Sequence, residues 1–174
     1  MSRTVRFAPL VVLLLIVAAL VWRLATPAST SVRSKLEGKP VPQFNLPAAI
    51  PGKAGLKSGD LSGQPHILNV FASWCVPCIE EVKVLSQLRQ SGIAIDGVAV
   101  RDRPQDLAAF LARNGDPYER IGIDPQSRLQ IALGSSGVPE SFIIDGHGVI
   151  RYQHIGPIAQ ADIPDIVARL RQAR

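Results

Sequence analysis

The hydrophobic pattern of this 174-residue chain falls into three regimes. An unbroken apolar run opens it, from Phe7 to Trp22. A stretch of Pro, Ala, Ser and Thr with no apolar period then reaches Lys35. From Leu36 onward, short apolar runs alternate with segments of helical period, which predicts strands and helices in turn. His66–Phe71 reads as a central strand. Ile79–Gln90 places Val82, Leu85 and Leu88 on one helical face. Ile93–Val100 reads as a second buried strand. Pro104 opens a helix to Asn114, with Gly115 near its end. Tyr118–Ile123 predicts a short strand and Pro125–Leu133 a short helix. Ser141–Ile144 and Gly148–Ile155 flank Asp145-Gly-His-Gly148, a hairpin signal. Pro164–Gln172 predicts a last amphipathic helix with Ile166, Val167 and Leu170 inward. Upstream, Val41–Leu46 is broken by proline and suits an edge strand, and Ala48–Leu61 reads as loop.

The order β-α-β-α-β-α-β-β-α is α/β. Crossover helices imply parallel strands, the late hairpin adds antiparallel ones, and helices should cover both faces of the resulting central mixed sheet. The expected organisation is an N-terminal membrane anchor (1–25), a linker (26–35) and one domain (36–174). A domain of that length buries an adequate core without disulfide staples.

The leader carries Arg3 and Arg6 before its apolar run and Arg23 after it. The run is short beside the roughly 17–25 residues of a bilayer span, but Leu24 and Ala25 extend it if Arg23 snorkels. Trp22 suits the interfacial belt. A cleaved signal peptide would need a small-residue site, and in Ala25-Thr26-Pro27-Ala28 the proline crowds the cut. The leader therefore reads as an uncleaved, single-pass signal anchor, a transmembrane helix with the domain outside. The charge agrees. Five of the 19 Lys and Arg residues precede Glu37 and no acid does, so the remainder holds 14 of each sign. The net charge of +5 belongs to the leader. Without a basic stripe on the domain, a nucleic-acid partner is not expected.

The chemistry sits in Trp74-Cys75-Val76-Pro77-Cys78, which holds the only two cysteines. A C-x-x-C between a strand and a helix start is the thioredoxin-like redox arrangement. The thiolate is the nucleophile, and a helix N-terminus favours an anion. Cys75 falls at the helix start and Cys78 within its first turn, less exposed. Pro77 fits an early helical position, and Trp74 is expected to shield the pair from one side. A zinc site wants four N or S ligands. No second C-x-x-C exists here, and His66, His147 and His154 are isolated, so no metal is expected. A purely structural bridge closing so short a loop would remove little chain entropy.

Gly137-Val138-Pro139-Glu140 precedes the strand Ser141–Ile144. Proline there can simply start the strand. Beside a C-x-x-C it gains a second reading: a cis proline packed against the cysteines, presenting the Val138 backbone to a substrate strand.

These two motifs, with Phe142-Ile143-Ile144-Asp145, resemble those of the membrane-anchored, thioredoxin-like reductases of cytochrome c maturation, the DsbE/CcmG type. The likeness runs from about Lys39 to the C-terminus. It includes the extra strand and helix around Arg113–Leu133, and Asn114–Tyr118 and Gly148–Tyr152 also fit. The resemblance implies a thioredoxin-like fold with a strand–helix insertion, Cys75 as nucleophile, Cys78 as resolving thiol and Pro139 as cis proline. It also implies Glu81 and Glu140 as acids lining the active-site groove, together with Trp74, Val76, Pro77 and Val138. Asn69 stands where plain thioredoxins carry a buried acid. From the residues alone, Glu81 on a helix surface is more often a solvated charge, and carboxylates near Cys75 oppose its ionisation.

The implied activity is thiol–disulfide exchange that reduces apocytochrome c or a helper thiol protein. A transmembrane thiol reductase supplies electrons, and no cofactor is needed beyond the cysteine pair. The implied location is the bacterial inner membrane with the domain in the periplasm. Two alternatives stay open: a general TlpA/ResA-like periplasmic thiol reductase, and a non-catalytic module that holds apocytochrome. A peroxidase is disfavoured, since no P-x-x-x-T-x-x-C pattern occurs.

Overall fold

The computed structural model describes residues 3–25 and 36–173. Residues 3–25 and the chain from Leu36 onward belong to separate compact units. The first is one helix, α1 (Arg3–Ala25), whose described apolar side chains are exposed. Only part of α1 carries described side chains, and among the described residues no helix is long and apolar enough to cross a membrane. The linker expected at 26–35 lies outside the described residues.

The domain is built on a mixed sheet of β3 (His66–Phe71), β4 (Ala94–Val100), β5 (Ile121–Asp124), β6 (Glu140–Ile144) and β7 (Ile150–Ile155), in spatial order β5-β4-β3-β6-β7. β3, β4 and β5 are parallel, while β6 and β7 run antiparallel. All residues of β3, β4 and β6 are buried, as strands covered on both faces must be. The helices are α2 (Val76–Gln90), α3 (Pro104–Asn114), α4 (Arg128–Ala132) and α5 (Ile163–Gln172). Right-handed crossovers put the connections β3–α2–β4 and β4–α3–β5 on one face. The contacts agree: Asn69 and Phe71, on the same face of β3 by its period of two, reach Glu81 of α2 and Phe110 of α3.

Beyond shifts of one to three residues at other element ends, three departures from the sequence pattern have a local reason. The stretch Ala48–Leu61 is not all loop. Within it β2 (Leu56–Lys57) pairs with β1 (Asn45–Leu46), the only part of the expected Val41–Leu46 strand that forms a ladder, while Val41 bonds separately to the Gly148 carbonyl. A Cβ at Gly55 would stand 2.6 Å from the Leu46 carbonyl oxygen, so the glycine that read as loop is what lets the two segments approach. α4 starts three residues later than expected. Ser127 before it is left-handed (φ 54°), and the Asp124 carboxylate accepts the N–H groups of Arg128, Leu129 and Gln130 instead. β5 also starts late, because Tyr118 turns inward to stack on Phe71 at 4.5 Å between ring centroids.

Candidate functional site: a cysteine pair at the end of a parallel strand

In open α/β sheets the working sites gather beyond the carboxyl ends of parallel strands, and here β3 leads directly to the cysteines. The Cys75 N–H donates to the Ala72 carbonyl at 3.2 Å, which closes a tight turn after β3. Cys75 is the N-cap of α2, and its Sγ accepts the Cys78 N–H at 3.3 Å. Pro77 sits at the second helical position, where no N–H is missed. Cys75 and Cys78 are joined as a disulfide, with 5.3 Å between Cα atoms. Both are sheltered, Cys75 at 4% exposure and Cys78 at 1%. An N-cap acceptor that becomes a thiolate on reduction gains from the same N–H groups and helix charge.

Trp74 is 57% exposed, and its indole Nε1 donates to the Arg101 carbonyl at 3.2 Å. With the exposed side chains of Val76 and Ile79 it forms an apolar rim at the α2 N-terminus. The Val138–Pro139 peptide is cis. Because Val70 pairs with Glu140, antiparallel register sets Pro139 beside Phe71, the end of β3 that feeds the cysteine turn. The Pro139 carbonyl accepts the Gly156 N–H at 3.0 Å. A cavity of about 490 Å³ opens between Trp74, Arg101, Ile131 and the Ser135–Val138 loop. A larger cavity, about 630 Å³, touches Pro65, Ile93, His147 and Leu170 at the far end of the sheet and includes neither cysteine.

Glu81 and Glu140, expected on the wall of an open groove, are both buried at 1% exposure. Glu81 lies one helical turn after Cys78, on the side of α2 that faces the sheet. Its carboxylate accepts the Ile158 N–H at 3.1 Å and the Asn69 amide at 3.2 Å. Asn69 also donates to Ser141 and accepts the Tyr118 hydroxyl at 2.8 Å. Burial pushes the Glu81 carboxyl up to about 7, against the two donors that favour its charge. Burial, and then the neighbouring Glu81, hold the Tyr118 hydroxyl well above its ordinary value. A buried acid thus stands beside Asn69 of β3, carried in by α2. Glu140 is tied down differently: Oε1 accepts the backbone N–H and hydroxyl of Ser136, and Oε2 accepts the Gln153 amide at 2.9 Å. It fastens the loop before Pro139 to β7.

The sequence reading did not single out Ile158, Ser136, Ser73 or Asp102, and it named Tyr118 only as a strand start and within Asn114–Tyr118. Except for Ser136, which bonds Glu140 four residues on, their contacts join segments far apart in the chain. Among the described residues, no three His, Cys, Asp or Glu side chains are grouped to hold a metal.

A cysteine pair that closes at a helix start, at the end of a buried parallel strand, is the working part of the thioredoxin-like thiol–disulfide oxidoreductases, and this fold and site put the chain in that class. Residues 36–170 match the Redoxin family. The thiol:disulfide interchange protein DsbE of Escherichia coli K12 is 40% identical over 163 residues, covering 91% of this chain and 88% of its own. DsbE of Pseudomonas fluorescens biotype C is 36% identical over 173 residues, covering 99% and 96%. The crystal structure of a putative DsbE from Chlorobium tepidum superposes with a TM-score of 0.61 at 28% identity, over 79% of this chain and 96% of its own. The chain belongs to the Redoxin family and, within it, to the DsbE-type thiol:disulfide interchange proteins. It is a thiol–disulfide oxidoreductase whose redox centre is a cysteine pair.

Proposed function

We propose that the protein is a periplasmic reductant of cytochrome c biogenesis, held at the inner membrane by residues 1–25 and a linker at 26–35, with residues 36–174 as the working domain. The Cys75 thiolate attacks a disulfide in apocytochrome c, or in a helper thiol protein, and forms a mixed disulfide while one partner sulfur leaves. Cys78, deprotonated, then attacks Sγ of Cys75. The partner leaves as a dithiol, having gained two electrons and two protons, and the Cys75–Cys78 disulfide remains. A transmembrane thiol reductase restores the dithiol, which an oxidising compartment would not do by itself. Trp74, Val76, Pro77 and Val138 form the surface on which the partner segment lies, with Pro139 buried beneath it and setting the Val138 backbone. Glu81 is the buried proton acceptor nearest Cys78 in the chain, and Glu140 holds the Pro139 loop in place.

The observation that carries this reading is the sheltered pair at the N-terminus of α2, with the cis Val138–Pro139 peptide at the end of β6 that adjoins the β3 end feeding the cysteine turn. The experiment is covalent trapping. Cys78→Ser protein in its host should accumulate mixed disulfides through Cys75 with a cytochrome c maturation protein or apocytochrome c, identified by mass spectrometry. Cys75→Ser should show no disulfide reduction of insulin. Insulin reduction at the unmodified rate by Cys75→Ser would reject the mechanism, and trapped partners unrelated to cytochrome c would reject the substrate.

A further inference from the structure

The turn that carries Trp74 and Cys75 is held from outside by the segment that follows β4. Arg101, just after β4, is left-handed (φ 48°), a strained conformation for a non-glycine residue that persists only where its surroundings fix it. Its Nε donates to the Ser127 hydroxyl at 3.0 Å, and its N–H to the Asp124 carbonyl at 3.2 Å. The turn has two products. The Arg101 carbonyl meets the Trp74 indole. The next side chain, Asp102, folds over Ser73: one carboxylate oxygen accepts the Ser73 N–H at 2.6 Å, and the other accepts the Ser73 hydroxyl at 2.7 Å and the Arg103 N–H at 2.9 Å. Asp102 is buried and so cannot exchange these donors for water at no cost.

Ser73 and Trp74 are the whole connection between the Ala72 carbonyl and Cys75. Cys75 is held directly at its N–H, which donates to Ala72, and at its carbonyl and Sγ, which accept the Cys78 N–H. Ser73 sets the approach of the chain to these bonds, so whatever fixes Ser73 helps fix where Sγ of Cys75 stands relative to the N–H groups of α2. We propose that Asp102 is a positioning residue of the redox centre: by clamping Ser73 it keeps Cys75 at the helix N-terminus, where its thiolate is stabilised. Two effects oppose each other. The negative charge of Asp102 disfavours a second anion nearby, whereas the clamp favours it by geometry. Short charge-assisted bonds to a buried carboxylate are strong, and on this proposal the geometric effect is the larger of the two.

The inference rests on Cys75 as the attacking thiol, and the test separates the two. Reduced full-length protein is alkylated with iodoacetamide across pH, and the labelled cysteine is identified by mass spectrometry. In the unmodified protein Cys75 is labelled first. In Asp102→Ala and Ser73→Ala the midpoint of its labelling profile moves to higher pH, and labelling at a pH below that midpoint slows about threefold or more, a shift of about half a pH unit. Ser73→Thr, which keeps both donors, restores the profile. A midpoint that falls in Asp102→Ala, or stays put in a folded Ser73→Ala, overturns the clamp. First labelling at Cys78 in the unmodified protein overturns the nucleophile assignment and the clamp with it. Should Asp102→Ala fail to fold, Ser73→Ala and Ser73→Thr still decide.

Discussion

At the scale of single residues the acid beside the cysteines is the sharpest departure from a plain sequence reading. Glu81 follows Glu80, stands two before Lys83, and looks like one more solvated helix residue. Its position three after Cys78 nevertheless puts it on the buried face of α2, as the run Cys78, Glu81, Val82, Leu85 shows. Its carboxyl rises from an ordinary 4.5 to about 7, chiefly through burial. The folded protein then keeps a proton that the unfolded chain has lost between those two values. Stability is full below about pH 4.5 and falls as pH rises through the window to 7, by on the order of 3 kcal/mol. Urea unfolding of the oxidised protein at pH 5 and pH 8 should show this decline. Glu81→Gln should flatten it, and an equal decline in that variant would place the titrating group elsewhere. Sequence spacing revealed the face of the helix. It could not reveal that Asn69 and the Ile158 N–H, 12 and 77 residues away, meet the carboxylate.

At the scale of elements, what was legible depended on how local the cause was. β3 and α3 begin and end where period, proline and glycine set them. α4 did not, because its start is fixed by the carboxylate of Asp124 and a left-handed Ser127 rather than by the proline that precedes it. β2 was hidden since Gly55 serves close strand approach and not a turn. Gly97 in β4 repeats that lesson nearer the site. A Cβ there would stand 2.8 Å from the Phe71 ring and 3.0 Å from the Tyr118 ring, and both rings are buried in the stack that leads to Asn69. Neither ring can give way without repacking against Phe110 or losing the Tyr118–Asn69 bond. Gly97→Ala should therefore destabilise the domain by about 1–3 kcal/mol in denaturant unfolding. A loss within about 0.5 kcal/mol would mean that the stack is looser than its geometry implies.

At the scale of the whole molecule, charge and apolar surface divide the work of meeting a partner. The chain from Glu37 onward carries 14 basic and 14 acidic residues, so the domain offers little net field to steer an approaching protein. Around the cysteines the exposed side chains are apolar instead: Trp74, Val76 and Ile79 at the start of α2, and Ile131 across the cavity on α4. Isolated exposed apolar residues need no explanation, but several facing one reactive centre mark a contact surface. Association driven by such a surface depends weakly on ionic strength, whereas a steered encounter slows steeply with salt. Raising salt from about 0.05 to about 0.5 M, which shortens the Debye length severalfold, should change kcat/KM for a protein disulfide by less than about threefold. Ile131→Asp puts a charge on this rim. It is an exposed substitution, so it should leave the unfolding midpoint nearly unchanged. It should still lower kcat/KM for a protein disulfide by about tenfold, while reduction of a small disulfide such as oxidised glutathione stays within about twofold, since only the larger partner reaches α4. Equal losses for both substrates would move the effect from docking to the redox centre, and a steep salt dependence would reject the apolar rim as the principal docking surface.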